Sequence, residues 1–385
     1  MKIDPYNHKE RYLKWKEKTQ NGIPGLSAFN SEIVKRYLDD MERGANIASE
    51  SVKGPRSYIR LNSLKEKMGS FSKRFKEIYG IDQITDITEE QAIGFFYDMQ
   101  TGKIKRKDGK DYENVATHVR IFKAFWHWHQ KVSRKKGIEI QDITTDLDTR
   151  TEKPKWVYLT EKDVKKLCDN AKLDYRTLIM FLYDTGIRAP TELVNVKVSD
   201  LYNDCKELNI RQETSKTFGR RIKLLLCSGL LKEHIQNHNL QPNDYLFQIK
   251  YINVNKYLRR LGTRVLGDKE SPAGEKYSRL TMYDFRHCAC CYWLPRYKSE
   301  SALKYRFGWK KSDKIHYYSE LLGMKDTISE EDLLIDNAKT EIEQQLQKSN
   351  SENSILKEQL LVMQNQLNRI TDLTSKFFPD FEGGG

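Results

Sequence analysis

The sequence predicts a mainly α-helical protein with one small β element. Apolar residues recur at helical spacing through most of residues 1–150 and again after residue 157. A strand-like pattern stands out only around residues 207–226. The last fifty residues carry a heptad pattern. A chain of 385 residues favours two or three domains.

Residues 1–145 are predicted to form an all-α domain of four helices. Apolar spacing or N-cap residues mark each of them: a helix after Asn30 or Ser31, one following Pro55-Arg56-Ser57 up to Tyr79, one after the capping box of Thr88 and Gln91, and one over about 113–132. Residues 146–156 are polar and poor in apolar side chains, and they read as a linker.

A second domain is predicted over residues 157–325, mostly helical but with a β-hairpin. The domain opens on a capping signal at Thr160. Alternation over 207–211 and an extended apolar run over 220–226 flank a turn-like stretch, with Lys216 in the turn or beside it. The helix that carries Arg286 is predicted to start at Thr281, with Asp284 at its third position.

Residues 329–378 carry apolar residues at alternating spacings of three and four, from Ile335 to Phe377. Ser349 and Asn353 fall on the same seam, as polar residues that set register or oligomeric state do. The pattern predicts a C-terminal coiled coil and self-association. A single amphipathic helix that packs on its own domain is the alternative.

Charge points to a polyanionic partner. The chain has 67 Lys and Arg against 54 Asp and Glu, a formal net charge of +13. The N-terminus lacks the apolar core of a signal peptide, and no apolar run is long enough to span a bilayer, so we expect a soluble intracellular protein without a membrane partner. The six cysteines show no paired framework and are expected to be reduced.

Two arginines and a tyrosine are the strongest chemical signal. Arg188 follows Thr185-Gly186-Ile187, Arg286 lies in the first turns of a predicted helix, and Tyr318 lies near the end of the second domain. Two guanidinium groups can hold the non-bridging oxygens of a phosphodiester while a phenol attacks phosphorus, without a metal. The alternatives are a helix-surface pair between Arg188 and Glu192 and a tyrosine buried in the core.

Other polar residues gain meaning only beside that set. Tyr283 and His287 project from nearly the same helix face as Arg286. Lys216 is either a proton donor at a hairpin tip or an ordinary solvated lysine, and Trp309 is by default a buried aromatic.

Metal and nucleotide sites are not predicted. The Cys-x-x-Cys within Cys288-Ala289-Cys290-Cys291 lacks a second ligand pair and indicates core thiols. His127 and His129 face different ways on one helix. There is no Gly-rich phosphate loop followed by lysine, so no cofactor is expected.

Taken in order, these residues resemble the tyrosine recombinase family of phage integrases and Xer-type recombinases. The similar motifs are Thr185-Gly186-Ile187-Arg188 with Glu192-Leu193 and Asp200, the hairpin Lys216, Tyr283-Asp284-Phe285-Arg286-His287, and Phe307-Gly308-Trp309 followed nine residues after the tryptophan by Tyr318. The resemblance covers about residues 157–323, and the helical region before it is similar in layout to the family's core-binding domain.

The resemblance implies a site-specific DNA recombinase or integrase. Tyr318 would attack the scissile phosphate to give a 3′-phosphotyrosyl enzyme and a free 5′-hydroxyl. Arg188 and Arg286 would stabilise the transition state with support from Trp309, and Lys216 would protonate the leaving oxygen. Neither metal nor ATP would be required. Double-stranded DNA, a tetramer on two DNA sites and a cytoplasmic, nucleoid-associated location are implied as well.

Three departures from the family pattern stand out. The interval from Arg188 to Glu192 is one residue longer than usual, so the following helix is expected to start differently. Tyr283 replaces the usual His or Lys, which leaves the general base open, with His287 as a possible substitute. Tyr317 adjoins the expected nucleophile, although the spacing favours the second tyrosine.

Two other functions use the same residues. A type IB topoisomerase-like enzyme would relax DNA without choosing a site. A non-catalytic DNA-binding protein of recombinase descent would keep the fold and lose the chemistry, and Tyr283 is the residue that favours it.

Overall fold

The fold of the chain is known from a computed structural model, which describes residues 2–48, 51–151, 154–297, 299–322 and 341–377. Within these ranges the protein has thirteen α-helices and one three-stranded antiparallel sheet. The predicted mainly α fold with a small β element is confirmed. None of the described helices combines the length and apolar character that a bilayer-spanning helix needs.

The N-terminal region is entirely helical. Its helices are α1 (His8–Lys18), α2 (Ala28–Arg43), α3 (Tyr58–Tyr79), α4 (Glu89–Gln100) and α5 (Val115–Arg134). The sequence predicted the last four. Helix α1 escaped prediction because its side chains are mostly charged and only Tyr12 is buried, so apolar periodicity is weak.

One predicted helix start was wrong, and one was right. Helix α2 is capped by Ser27, whose Oγ accepts from the Asn30 amide at 3.2 Å. Asn30 and Ser31 are buried inside the helix instead. The Asn30 side chain bonds to the backbone of Asp82 and Ile84, so it fixes a loop instead of capping a helix. The capping box of Thr88 and Gln91 at the start of α4 is confirmed.

An aromatic cluster forms the centre of this helical region. The rings of Phe75 and Phe95 meet edge to face with centroids 4.9 Å apart, and Phe71 and Phe122 meet at 5.8 Å. All four side chains are buried. Edge-to-face contacts of this kind add to the area that aromatic side chains bury, so they hold α3, α4 and α5 together.

The second region contains seven helices and the sheet. The helices are α6 (Glu161–Asp169), α7 (Leu173–Thr185), α8 (Ser228–Asn237), α9 (Tyr251–Leu266), α10 (Met282–Trp293), α11 (Glu300–Phe307) and α12 (Asp313–Leu321). The strands are β1 (Leu201–Tyr202), β2 (Glu207–Ile210) and β3 (Arg220–Lys223), paired in that order. The predicted hairpin is confirmed, with Leu208 opposite Ile222, and β1 is an additional strand.

Helices α7 and α10 pack together in a second hydrophobic core, which holds Leu182, Phe285 and Ala289 among others. This packing sets the C-terminus of α7 beside the first turns of α10. Asp284, at the third position of α10 as predicted, accepts hydrogen bonds from the amide and hydroxyl of Thr281 and from the amide of Val157. The start of α10 is thereby fixed to the start of the domain.

The first residues of the chain contact the second region. The amide of Ile3 donates to Asn195 Oδ1 at 2.7 Å, and Asn195 Nδ2 donates back to the Ile3 carbonyl at 2.9 Å. The ring of Tyr6 packs on Tyr251 with centroids 4.9 Å apart. The N-terminal segment therefore crosses from α1 to the core that holds the candidate site.

The C-terminal helix α13 (Glu341–Phe377) has 37 residues and belongs to a separate unit of the chain, residues 323–385. Four of the predicted heptad residues, Leu356, Leu360, Met363 and Leu367, are more than half exposed. The seam predicted from the sequence is thus an exposed apolar stripe along this helix. Ile335, the first predicted seam residue, lies outside the described residues.

Candidate active site

Gly186 ends α7 and brings the site's backbone into close contact. It adopts the left-handed conformation with φ +55°. A Cβ at this position would lie 2.3 Å from Cε1 of Phe307, so only glycine fits. Its carbonyl accepts a hydrogen bond from Nη1 of Arg286. The Gly186 turn therefore both exposes Arg188 and anchors the second arginine.

Arg188 is held from two sides. Its Nη1 donates to Oε1 of Glu192 at 2.7 Å, and its Nη2 donates to the carbonyl of Gly308 at 2.7 Å. The side chain is 13% exposed. These two bonds use two of the five guanidinium donors and fix the plane of the fork.

The Arg188–Glu192 pair is not the helix-surface pair considered from the sequence. A cis peptide between Ala189 and Pro190 follows the arginine, and only a short 3₁₀ turn, Leu193–Asn195, comes after it. The segment after Arg188 thus starts differently from the usual helix, as the longer interval between Arg188 and Glu192 suggested. Glu192 is 1% exposed, so the pair is buried.

Glu192 is the central acceptor of the site. Besides Arg188, its carboxylate accepts from Nη2 of Arg220 at 2.8 Å and from Oγ of Ser215 at 3.2 Å. Burial opposes its ionisation, but the hydrogen bond and charge of Arg220 together with the charge of Arg188 prevail and lower the pKa of Glu192 to about 2. The carboxylate is therefore ionised under all physiological conditions.

Arg286 is buried next to Arg188 and Glu192. Its Nη2 donates to the carbonyl of Phe307 at 2.6 Å, and its guanidinium carbon lies 5.5 Å from the Phe307 ring and 6.0 Å from the Trp309 ring. Burial, followed by the neighbouring charge of Arg188, lowers the pKa of Arg286 to about 10. A buried cation beside a second cation favours an incoming anion.

Gly308 links Arg188 to the loop between β2 and β3. Its carbonyl accepts from Arg188 and also from Oγ1 of Thr217 at 2.9 Å. A Cβ on Gly308 would lie 3.0 Å from Nη1 of Arg220, at a left-handed φ of +61°. Lys216 is exposed and stands between two residues of the loop, Ser215 and Thr217, that both bond to the site. The exposed Lys216 is thus held at the edge of the site by its two neighbours in the loop.

Tyr318 lies in a stack of aromatic rings on α12. Its ring is nearly parallel to that of Trp309, with centroids 6.0 Å apart, and Trp309 stacks in turn on Phe307 at 4.9 Å. Its hydroxyl pairs with Nδ1 of His287. Tyr318 is 3% exposed, and burial raises the pKa of its phenol well above its usual range. The phenol is therefore protonated and bonded to an imidazole.

Residues 157–323 match the phage integrase family. The match covers the second region of the fold, somewhat under half of the chain. The resemblance expected from the sequence is confirmed over the same range, which includes every motif on which it was based. The sequence of this chain matches no curated protein.

Solved integrase structures share the fold of this chain. The Tn1549 transposon integrase in complex with a circular intermediate DNA has a TM-score of 0.54 at 13% identity, over 77% of this chain and 95% of that one. A lambda integrase dimer bound to a COC′ core site has a TM-score of 0.55 at 14% identity, over 84% and 85%. A lambda integrase tetramer bound to a Holliday junction has a TM-score of 0.54 at 13% identity, over 82% and 83%.

Tyr283 and Tyr317, the two tyrosines that depart from the family pattern, have different surroundings. Tyr283 is 47% exposed on the first turn of α10, and its ring meets that of His287 edge to face at 5.2 Å. Tyr317 Oη accepts from Nε1 of Trp156 at 2.8 Å and donates to the Pro154 carbonyl. The Tyr317 hydroxyl is thus bonded to Trp156 and Pro154, away from Arg188 and Arg286, whereas the Tyr318 hydroxyl bonds to His287.

Two residues of the candidate site, Arg220 and Trp156, were not singled out from the sequence. Arg220 is fully buried, and its Nε donates to the carbonyl of Arg306 at 2.9 Å. Strand alternation carries the signal for it: Ile222 faces the core, so Arg220, two residues earlier, must face inward as well. Trp156 stacks on His287 with centroids 4.7 Å apart, and no local pattern announces that contact.

The thiols of the Cys288–Cys291 stretch lie in the core, as predicted. Cys288, Cys290 and Cys291 are free and buried, and burial raises the pKa of each. His127 pairs with Asp142 at 3.0 Å, apart from His129.

Proposed function

We propose that this chain is a site-specific DNA recombinase that cleaves and rejoins duplex DNA through a 3′-phosphotyrosyl intermediate. The observation that carries the proposal is the convergence of Arg188, Arg286 and Tyr318 around the Phe307–Trp309 stack. One fork comes from the turn that follows α7, the other from α10 and the phenol from α12, so three separate segments of the chain supply one set of groups. A purely structural network would not require a tyrosine beside two buried arginines.

The arginines form the phosphate clamp. Each uses two donors on protein acceptors, which leaves further N–H groups of Arg188 and Arg286 for the non-bridging oxygens. Because Glu192 balances only one of the three guanidinium groups around it, the clamp keeps a positive charge. Donors fixed before the reaction stabilise the charge that develops on the pentacoordinate phosphorus without reorganising.

His287 is the proton acceptor of the proposed mechanism. It is hydrogen-bonded to the Tyr318 hydroxyl, and a general base must lie within such reach of its proton. With the ring hydrogen on Nε2, Nδ1 accepts the phenolic proton as the tyrosine oxygen attacks phosphorus. Tyr283 meets the ring of His287 edge to face, so its role in the proposed mechanism is to orient the imidazole.

Lys216 is the proposed general acid. Its ammonium group donates a proton to the 5′-oxygen as the bond from phosphorus to that oxygen breaks. The bonds of Ser215 to Glu192 and of Thr217 to the Gly308 carbonyl hold the loop that carries Lys216 against the site. The phosphotyrosyl bond conserves the energy of the phosphodiester, so rejoining needs no nucleoside triphosphate.

Duplex DNA is the proposed partner, and the helical region 1–145 the proposed core-binding domain. A net charge of +13 supports the affinity through phosphate contacts. Tn1549 integrase and lambda integrase, which share this fold, are known in complexes with DNA, one of them a tetramer on a Holliday junction. We extend that to four protomers on two duplexes for this chain.

A nicked DNA substrate that loses its leaving strand tests the proposal. Incubation should trap a covalent adduct with wild-type protein and none with Tyr318→Phe. Tyr317→Phe is the matched control, because it removes the hydroxyl of the adjacent tyrosine, which bonds to Trp156. This variant should still form the adduct. An adduct that survives Tyr318→Phe would overturn the assignment of the nucleophile.

The same protein preparation separates recombination from relaxation. A recombinase should act on a plasmid only when it carries the element's own site, whereas a type IB topoisomerase-like enzyme should relax any supercoiled plasmid. Complete relaxation of site-free plasmids would replace the proposed function with that alternative.

A further inference from the structure

A second cluster of chemistry-bearing side chains lies on the far end of α7. Asp174, in the first turn of α7, stands beside His234 and His238 near the C-terminus of α8. Eleven residues of helix separate Asp174 from Thr185, roughly 17 Å at 1.5 Å per residue. The cluster is therefore distinct from the arginine site.

The ligand atoms of the three side chains converge. Nε2 of His238 lies 2.8 Å from Oδ1 of Asp174, and Nδ1 of His234 lies 3.7 Å from the same oxygen. Ligands about 2.0–2.1 Å from a zinc ion at tetrahedral angles are roughly 3.4 Å apart. The two distances lie on either side of that value. Asp174 and His238 are partly exposed and free to adjust by the small difference.

The remaining nitrogen of His234 is bonded in the way that metal ligands require. Its Nε2 lies 3.0 Å from the carbonyl of Leu246, an acceptor, so Nε2 carries the ring hydrogen. Nδ1 then presents a lone pair toward Asp174 and His238. An imidazole that donates its other N–H to a backbone carbonyl is the usual arrangement around a bound metal.

The cluster also has room for an ion and its water. It lines a cavity of about 410 Å³, open to solvent, whose other walls include Tyr175, Phe247 and Ile249. Two histidines four residues apart on one helix project from the same face, and the carboxylate supplies the third ligand. The fourth position of a tetrahedral site would be left to water.

We propose that Asp174, His234 and His238 bind a divalent transition metal of the zinc class. Two imidazoles and a carboxylate match the ligand preferences of Zn²⁺ and exclude a dedicated Ca²⁺ or Mg²⁺ site, since those ions take oxygen ligands. The ion ties the first turn of α7 to the last turn of α8. Its role is structural, since the phosphate chemistry lies at the other end of α7.

Titration of the untagged, full-length chain with Zn²⁺ or Co²⁺ tests the proposal. After treatment with a chelator, the protein should take up one equivalent and its Tm should rise with saturation. Co²⁺ should give visible absorption bands typical of a tetrahedral site, without the near-ultraviolet band of a cobalt–thiolate bond. That band would show binding by cysteines and would overturn the proposal.

Variants assign the site. His238→Ala and Asp174→Asn change partly exposed side chains and should each weaken metal binding at least tenfold without loss of the fold. Gln236→Ala, an exposed residue on the same helix, is the control and should bind as the wild type does. The proposal fails if uptake is not saturable, or if both site variants bind the metal as tightly as Gln236→Ala.

Discussion

Replacing Glu192 with glutamine tests whether a buried charge organises the clamp. The change keeps the shape of the side chain but removes the charge that Arg188 and Arg220 share. The pKa of Glu192 falls from its ordinary 4.5 to about 2, and at about 1.4 kcal/mol for each pH unit this difference gives a loss of about 3–4 kcal/mol. Breaking one partner of a buried ion pair costs about 3–5 kcal/mol, which agrees.

Urea denaturation at pH 7 measures this loss. Glu192→Gln should lower the free energy of unfolding by about 3 kcal/mol, because two buried guanidinium groups lose their counter-charge. Glu213→Gln is the control: it removes an exposed carboxylate 3.0 Å from Arg211, and such surface pairs contribute little. A loss below about 1 kcal/mol for Glu192→Gln would refute the idea that this charge supports the site.

The pH dependence of the same difference is a second check. The folded pKa of Glu192 lies below its unfolded value, so its contribution is complete well above pH 4.5 and is lost as pH falls toward about 2. Between pH 7 and pH 3.5 the gap between wild type and Glu192→Gln should shrink by about 1.4 kcal/mol. Groups common to both proteins cancel in this comparison, so a constant gap would contradict the cause assigned to the shift.

Three further predictions concern the site and the C-terminal helix. Gly186→Ala should abolish adduct formation and lower Tm because its methyl group meets a buried ring, whereas Gly229→Ala, with open space around it, should do neither. His287→Ala should slow cleavage about 10²–10⁴-fold, against a much smaller effect of Tyr283→Phe, and the reverse order in single-turnover rates would move the base to the tyrosine. Deleting residues beyond 322 should leave cleavage intact but reduce the size of DNA complexes on native gels, and unchanged complexes would argue against self-association through Glu341–Phe377.

The parts of the site that the sequence could predict are those carried by order and spacing. Arg188, Arg286 and Tyr318 stand in motifs whose local structure follows from a glycine C-cap, a capping box and helix periodicity. The hairpin around Lys216 follows from alternation. These signals are local, so they survive without knowledge of the tertiary fold.

The parts that could not be predicted depend on contacts between distant segments. Trp156 meets His287 across 131 positions of sequence, and Asp174 meets His238 across 64. No spacing rule links such residues. Arg220 is an intermediate case, because strand alternation points it inward but its basic side chain suggests a solvated one. Only the buried carboxylate of Glu192, found in the structure, explains why a charge is tolerated there.

A common design underlies the buried charges of this site. Arg188 and Arg286 are each held from behind, by Glu192 and by the carbonyls of Gly186, Phe307 and Gly308. Burying these groups has a desolvation cost that their pairing only partly offsets. In the proposed mechanism this cost is offset by preorganisation, because a guanidinium group already fixed by the protein need not reorient when phosphorus becomes pentacoordinate. The same packing buries the phenol on α12, so the proposed attack requires α12 to shift relative to the arginines when DNA binds.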